Sequence, residues 1–400
     1  MKVLQVNNFY KEGSTGKIVY DIRQILDEKG VENLVCYGRG KDYSDRNVIR
    51  LCTNFSAKCN KLLCSIFGLK FGWCVGSTSK LISVIKREKP DAVHLHCIND
   101  NVVNVYHIIN YLKKKNIYTV LTLHAEFMYT ANCGYALDCD KWMDGCGRCP
   151  RFHQETFSFF FDRTHASWKK MKAAFAGFED HLQIVSVSPW LQKRAEQSPI
   201  LHGHCHDTIL NGIDTVNIFR ITESDFREKN GLTEKKVVLH VTASFARPIK
   251  GGKYFVELAK KMPDINFVLV GNDTGTELPA NVIDVGRVSD QRELAKLYSM
   301  ADLFVLTSEK ETFGMTVAES LCCGTPVVGF MSGAPEQIAL QEYSSFVPFA
   351  DVDRLDQEVR AWLSKEIDAK QISQEARQKY SKEKMAEAYL KKYCYKEEEA

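Results

Sequence analysis

Short apolar runs alternate with longer amphipathic segments along this 400-residue chain. Runs at residues 3–7, 34–37, 92–96, 118–123, 183–187, 208–210, 237–241, 266–270, 282–285, 302–306 and 326–330 read as strands, most of them buried. Helical patterns lie between them, and that alternation implies parallel sheets with crossover helices. Four hundred residues exceed one ordinary core, so two domains are expected, over residues 1–189 and 190–375. Residues 376–400 read as a terminal helix whose stripe Met385, Tyr389 and Tyr393 could dock on the first domain. Residues 132–167 break the alternation with four cysteines, several glycines and a run of phenylalanines, and read as an insertion on the first domain.

Composition excludes several functions. A hydrophobic share of 44% and a charged share of 26% are globular values, and a net charge of +3 gives no polyanion-binding signature. No nucleic-acid partner is therefore expected. No apolar run reaches the ~18 residues of a membrane span, and residues 1–6 enter a strand directly, which reads as cytoplasmic. In a reducing compartment most of the fourteen cysteines read as small buried hydrophobes.

The richest segment runs from Lys310 to Glu319. Residues 303–306 read as a strand and the segment from Met315 to Cys323 as a helix, so Glu311 falls in the turn and Glu319 just over one turn into the helix. A helix N-terminus attracts phosphate, and the two carboxylates can accept hydrogen bonds from sugar hydroxyls on either side of it. A second glycine-containing turn, Ser332-Gly333-Ala334-Pro335-Glu336, follows the next strand. Two successive turns aimed at one place indicate a ligand crevice at strand ends.

Glu311 to Glu319, with Gly333 to Glu336 after it, resembles the donor site of retaining glycosyltransferases of family 4. The resemblance implies the GT-B architecture, an α/β fold of two Rossmann-like domains facing across an interdomain cleft. It also implies transfer of a sugar from a UDP- or GDP-sugar to a saccharide or lipid-linked saccharide in bacterial surface polysaccharide synthesis, at the inner face of the membrane with peripheral membrane contact. Rival readings are a non-catalytic nucleotide-sugar-binding module and a GT-B epimerase or phosphorylase.

Carried over residue by residue, the resemblance assigns catalytic roles to His124, Glu311 and Lys250. It assigns donor contacts to Gly13, Gly16, Arg247, Arg287, Val288, Phe313, Gly314, Met315, Thr316 and Glu319. Lys250 fits the diphosphate clamp, but Ser244 and Phe245 stand where relatives carry arginine, so Arg247 is the candidate second cation. Asn211-Gly212-Ile213-Asp214 resembles the family's turn at the start of the second domain. No cofactor is expected for catalysis.

Three further features are read from the residues. Cys133, Cys139, Cys146 and Cys149, spaced C-x5-C-x6-C-x2-C, are candidates for a structural zinc. His94 and His96 are expected not to share a face. His202, His204 and His206 read as a flexible polar segment.

Overall fold

A computed structural model describes residues 1–273 and 275–394. The chain divides into two compact units, one of Met1–Leu210 joined by the chain from Met385 onward, the other Asn211–Lys384. Each is built on a parallel sheet.

In the first unit the strands are β1 (Lys2–Asn7), β2 (Glu32–Tyr37), β3 (Val48–Arg50), β4 (Ala92–Leu95), β5 (Thr119–Leu123), β6 (Leu182–Ser186) and β7 (Cys205–Thr208). Their order is β3-β2-β1-β4-β5-β6-β7, all parallel. In the second they are β8 (Val237–Val241), β9 (Asn266–Val270), β10 (Val282–Gly286), β11 (Leu303–Leu306), β12 (Val327–Phe330) and β13 (Ser344–Val347). Their order is β10-β9-β8-β11-β12-β13, again all parallel. Both sheets are doubly wound and reverse direction beside their first strand, between β1 and β4 and between β8 and β11. Loops after the strands on either side of such a reversal leave a crevice at the carboxyl edge.

The cores explain the apolar runs. Val238, Leu303, Val305 and Val328 are fully buried against Phe255 and Leu258 of the helix Gly252–Lys261 and Leu355 and Val359 of the helix Val352–Leu363. In the first unit Val3, Val120 and Val185 pack with Ile18 and Ile22 of the helix Gly13–Glu28.

Two boundaries differ from the sequence reading. The first unit continues beyond residue 189 to Leu210 because β7 pairs with β6 and completes its sheet. That places His206 in a strand and not in a flexible segment, and the rings of His204 and His206 both bond the Leu201 carbonyl, at 3.1 and 3.0 Å. The tail is two helices, Ala369–Lys379 and Lys382–Tyr393, with a break at Tyr380-Ser381. In the second helix Met385, Tyr389 and Tyr393 are buried in the first unit's core. The turn Asn211-Gly212-Ile213-Asp214 anchors the break. Ile213 pairs with Ser381, Asp214 bonds Lys382 at 2.8 Å, and a Cβ on Gly212 would stand 2.6 Å from the Lys382 Cα.

Candidate active site

In the second unit the loops after β8 and β11 are laced together at the reversal point. Gly251 makes this approach: its φ is +69°, and a Cβ there would lie 1.8 Å from the Thr307 carbonyl oxygen. Glu309 N–H donates to Ile249 O at 2.9 Å, and the Thr307 hydroxyl donates to Lys250 O at 3.3 Å. Lys250 Nζ, held in this way, meets Glu311 Oε1 at 2.7 Å, with both side chains mostly out of solvent. An ion pair so shielded is screened by salt much less than a surface pair.

The next loop fixes Glu311 itself. Its N–H donates to Ser332 O at 2.8 Å, and its carbonyl accepts from Ala334 N–H at 3.2 Å. Glu336 closes the second glycine turn by accepting from Ser332 N–H and Gly333 N–H at 3.0 and 2.9 Å. Gly314, at φ +87°, opens the helix Met315–Cys322. Met315 and Thr316 are half-buried in its first turn, so free backbone N–H groups stand just beyond the Lys250–Glu311 pair. Glu319, one turn on, accepts from the Tyr298 hydroxyl at 3.0 Å. Burial and the adjacent carboxylate push the Tyr298 phenol well above its usual range, so it stays a donor.

The remaining predicted donor residues separate. Arg247 is exposed in the Lys250 turn, and its carbonyl accepts from Lys250 N–H at 2.8 Å. Arg287 and Val288 follow the edge strand β10, two strands from β8. The Phe313 ring is buried edge-on to Tyr380, 6.4 Å between centroids, so its side chain serves the core. Sequence reasoning missed Tyr298 and also Asp273, which accepts from the Ser244 hydroxyl at 2.6 Å and from Ala246 N–H at 3.2 Å. Nothing local marks either one; each acts across a long sequence separation.

In the first unit, loops after β1, β4 and β5 meet. His124 ends β5, with Nε2 3.2 Å from His96 Nδ1. Burial lowers the His124 pKa to about 4, and burial lowers His94 and His96 well below 6.5. All three rings are neutral at pH 7. The His94 and His96 rings lie side by side, centroids 3.8 Å apart and tilted by 35°, contrary to the expectation that they could not share a face. The period of a strand is two, which puts positions i and i+2 on the same side. Thr122 donates to the Tyr389 hydroxyl at 2.9 Å and lies 2.7 Å from His94 Nε2, so it accepts there, and His94 Nδ1 accepts from Tyr393 at 2.6 Å. Asn8 Nδ2 donates to Asn99 Oδ1 at 3.0 Å and ties the β1 and β4 loops.

Gly13 has φ +67° and open space around it. At Gly16 a Cβ would meet the Phe9 carbonyl group at 3.3 Å, so this glycine lets the loop fold on itself. Glu126, close after His124, pairs with Arg194 at 2.7 Å and accepts from Ala136 N–H in the insertion.

Cys133, Cys139, Cys146 and Cys149 line one small cavity of about 40 Å³. Four thiols around one space are a donor set that suits zinc. Among the described residues, however, no three His, Cys, Asp or Glu side chains stand close enough to share a metal ion, and all four cysteines are free thiols.

Residues 222–379 match the sequence profile of glycosyl transferases group 1. The second unit carries a glycosyl transferases group 1 domain. Over nearly its whole length, 98% of this chain and 99% of the other, the chain is 25% identical to WcaC of Escherichia coli strain K12, a provisionally assigned colanic acid biosynthesis glycosyl transferase. It is 32% identical over 143 residues to N-acetyl-alpha-D-glucosaminyl L-malate synthase of Bacillus anthracis, covering 33% of this chain and 37% of that one. Among solved structures, sucrose-phosphate synthase of Thermosynechococcus elongatus superposes with a TM-score of 0.70 over all of both chains at 16% identity. HepE of Anabaena, solved with UDP-glucose, gives 0.66 over 98% and 99% at 16% identity. The fold is that of the GT-B glycosyltransferases. No described helix is long and apolar enough to cross a membrane.

Proposed function

We propose that this chain is a retaining glycosyltransferase of family 4. It moves a sugar from a UDP- or GDP-sugar to a hydroxyl of a saccharide or lipid-linked saccharide in bacterial surface polysaccharide synthesis. The observation that carries this reading is the Lys250–Glu311 pair, 2.7 Å apart at the reversal point of the second sheet and beside the N-terminus of the helix Met315–Cys322. The group 1 profile over residues 222–379, the likeness to WcaC and the UDP-glucose bound by HepE support it.

In this mechanism the diphosphate displaces the Glu311 carboxylate from Lys250 and takes the ammonium as its own counter-ion. Helix N–H groups and Arg247 share the charge, which grows as the glycosidic bond breaks, so catalysis needs no metal ion. Glu311, released from Lys250, turns to the donor sugar, and Glu319 accepts from ribose hydroxyls while Tyr298 holds its other edge. Arg287 and Val288 border the base. The leaving phosphate, not a carboxylate nucleophile, assists attack on the same face. His124, neutral at pH 7, is a hydrogen-bonding group for the sugar.

Calorimetry with the nucleoside diphosphate separates the two carboxylates. Glu319→Ala should weaken binding by about 1.5–3 kcal/mol, whereas Glu311→Ala, which removes the carboxylate that competes for Lys250, should not weaken it. Equal affinities for wild type and Glu319→Ala would refute the assignment. Screening with UDP- and GDP-sugars for release of free diphosphate tests turnover, and no release with any donor would leave only a binding module.

A further inference from the structure

The fragment from Asn54 to Phe67 is a helix turned the wrong way for core packing. It buries Ala57, Cys64 and Ser65, which are small, while Phe55, Leu62 and Phe67 are 77%, 53% and 43% exposed. The insertion lays a second apolar strip along it. Phe159 N–H donates to Ser65 O at 2.8 Å, and the Lys61 ammonium stands 4.9 Å from the Phe157 ring. Phe157, Phe159, Phe160 and Phe161 are all about half exposed or more. Of the thirteen large hydrophobic side chains exposed among the described residues, seven belong to these two strips. Scattered exposed apolar residues need no account, but a joined patch marks an interaction surface.

Charge identifies the occupant. Residues 46–87 hold eight Lys or Arg and no Asp or Glu. Lys58 and Lys61 are exposed on the helix itself, and the Arg163 guanidinium lies 5.7 Å from the Phe161 ring. The acids beside the strip are engaged: Asp162 accepts from Cys149 N–H and Thr164 N–H, and Glu155 pairs with Arg151. Exposed phenylalanines with Lys58, Lys61 and Arg163 beside them match an anionic bilayer surface, where rings enter the headgroup region and cations meet lipid phosphate. A second copy of the same patch would bring like charges together.

We propose that the helix Asn54–Phe67 and the strip Phe157 to Phe161 form a docking surface for an anionic lipid bilayer. It deepens the glycosyltransferase reading by naming where a lipid-linked acceptor is met, and it rests on that reading only for its purpose. The test is co-sedimentation of the full chain with vesicles of phosphatidylcholine alone or mixed with phosphatidylglycerol. Wild type should pellet with the mixed vesicles, weakly with the neutral ones, and less as salt rises. Lys58→Ala and Lys61→Ala should each lower partitioning about fivefold. The double variant Phe159→Ser/Phe160→Ser should lower it about tenfold or more. An unchanged circular dichroism spectrum and thermal midpoint show that the variants are folded. Wild type left in the supernatant, or variants that pellet as it does, would overturn the proposal. So would an aromatic variant that turns a dimer into a monomer, since that makes the patch an interface between copies. Vesicle binding needs no substrate, so it can succeed where sugar transfer fails, and the reverse.

Discussion

At the residue scale, Lys250 owes its position to a glycine. With φ at +69° and a carbonyl oxygen 1.8 Å from any Cβ, Gly251→Ala must push the β8 and β11 loops apart. We expect a loss of about 2–3 kcal/mol in urea unfolding and a larger loss of turnover than of stability. Arg247→Ala should lower the transfer rate in the same direction as loss of Lys250 and by less, because its side chain is exposed; wild-type rates would remove it from the clamp. The neutral histidines predict a pH dependence. Burial holds the folded His124 pKa at about 4 against 6.5 for a solvated imidazole, so the unfolded chain binds the extra proton between those values. Stability should therefore fall as pH drops from 6.5 toward 4, by about 2 kcal/mol for such a group near pH 5. A urea midpoint equal at pH 7 and pH 5 would contradict this.

At the element scale, the strand and helix alternation was legible because parallel strands buried on both faces are written in unbroken apolar residues. The turn from β11 into the helix Met315–Cys322 was legible for the same reason, with Glu311, Gly314 and Glu319 at fixed offsets from it. The edge strand β3, three half-buried residues, and β13, which begins Ser344-Ser345, carry no such signal. The Tyr298–Glu319 bond and the His96–His124 contact were hidden because tertiary folding, not spacing, makes them. The phenylalanine strip was visible as composition, but its exposure was not. For the insertion, the cavity shared by four thiols keeps structural zinc as a proposal, with the thiols closing on the metal. Protein purified without chelator should carry about one equivalent, and removing it should lower stability. Less than about a tenth of an equivalent, with four freely titrating thiols, would leave reduced cysteines only.

At the scale of the whole molecule, the chain runs through the first unit, then the second, and returns. Tyr389, 1% exposed, seals that return by packing in the first core and accepting from Thr122. Tyr389→Ala should cost about 3–5 kcal/mol in equilibrium unfolding. The central claim concerns the second unit, where a lysine paired with a carboxylate becomes the counter-ion of a leaving diphosphate. Its most direct test is the rate of sugar transfer by Lys250→Ala with saturating nucleotide-sugar, measured beside donor affinity. Charge that grows in the transition state predicts a fall in turnover of about a hundredfold or more, with donor affinity changed far less. Turnover at the wild-type rate in Lys250→Ala would contradict it.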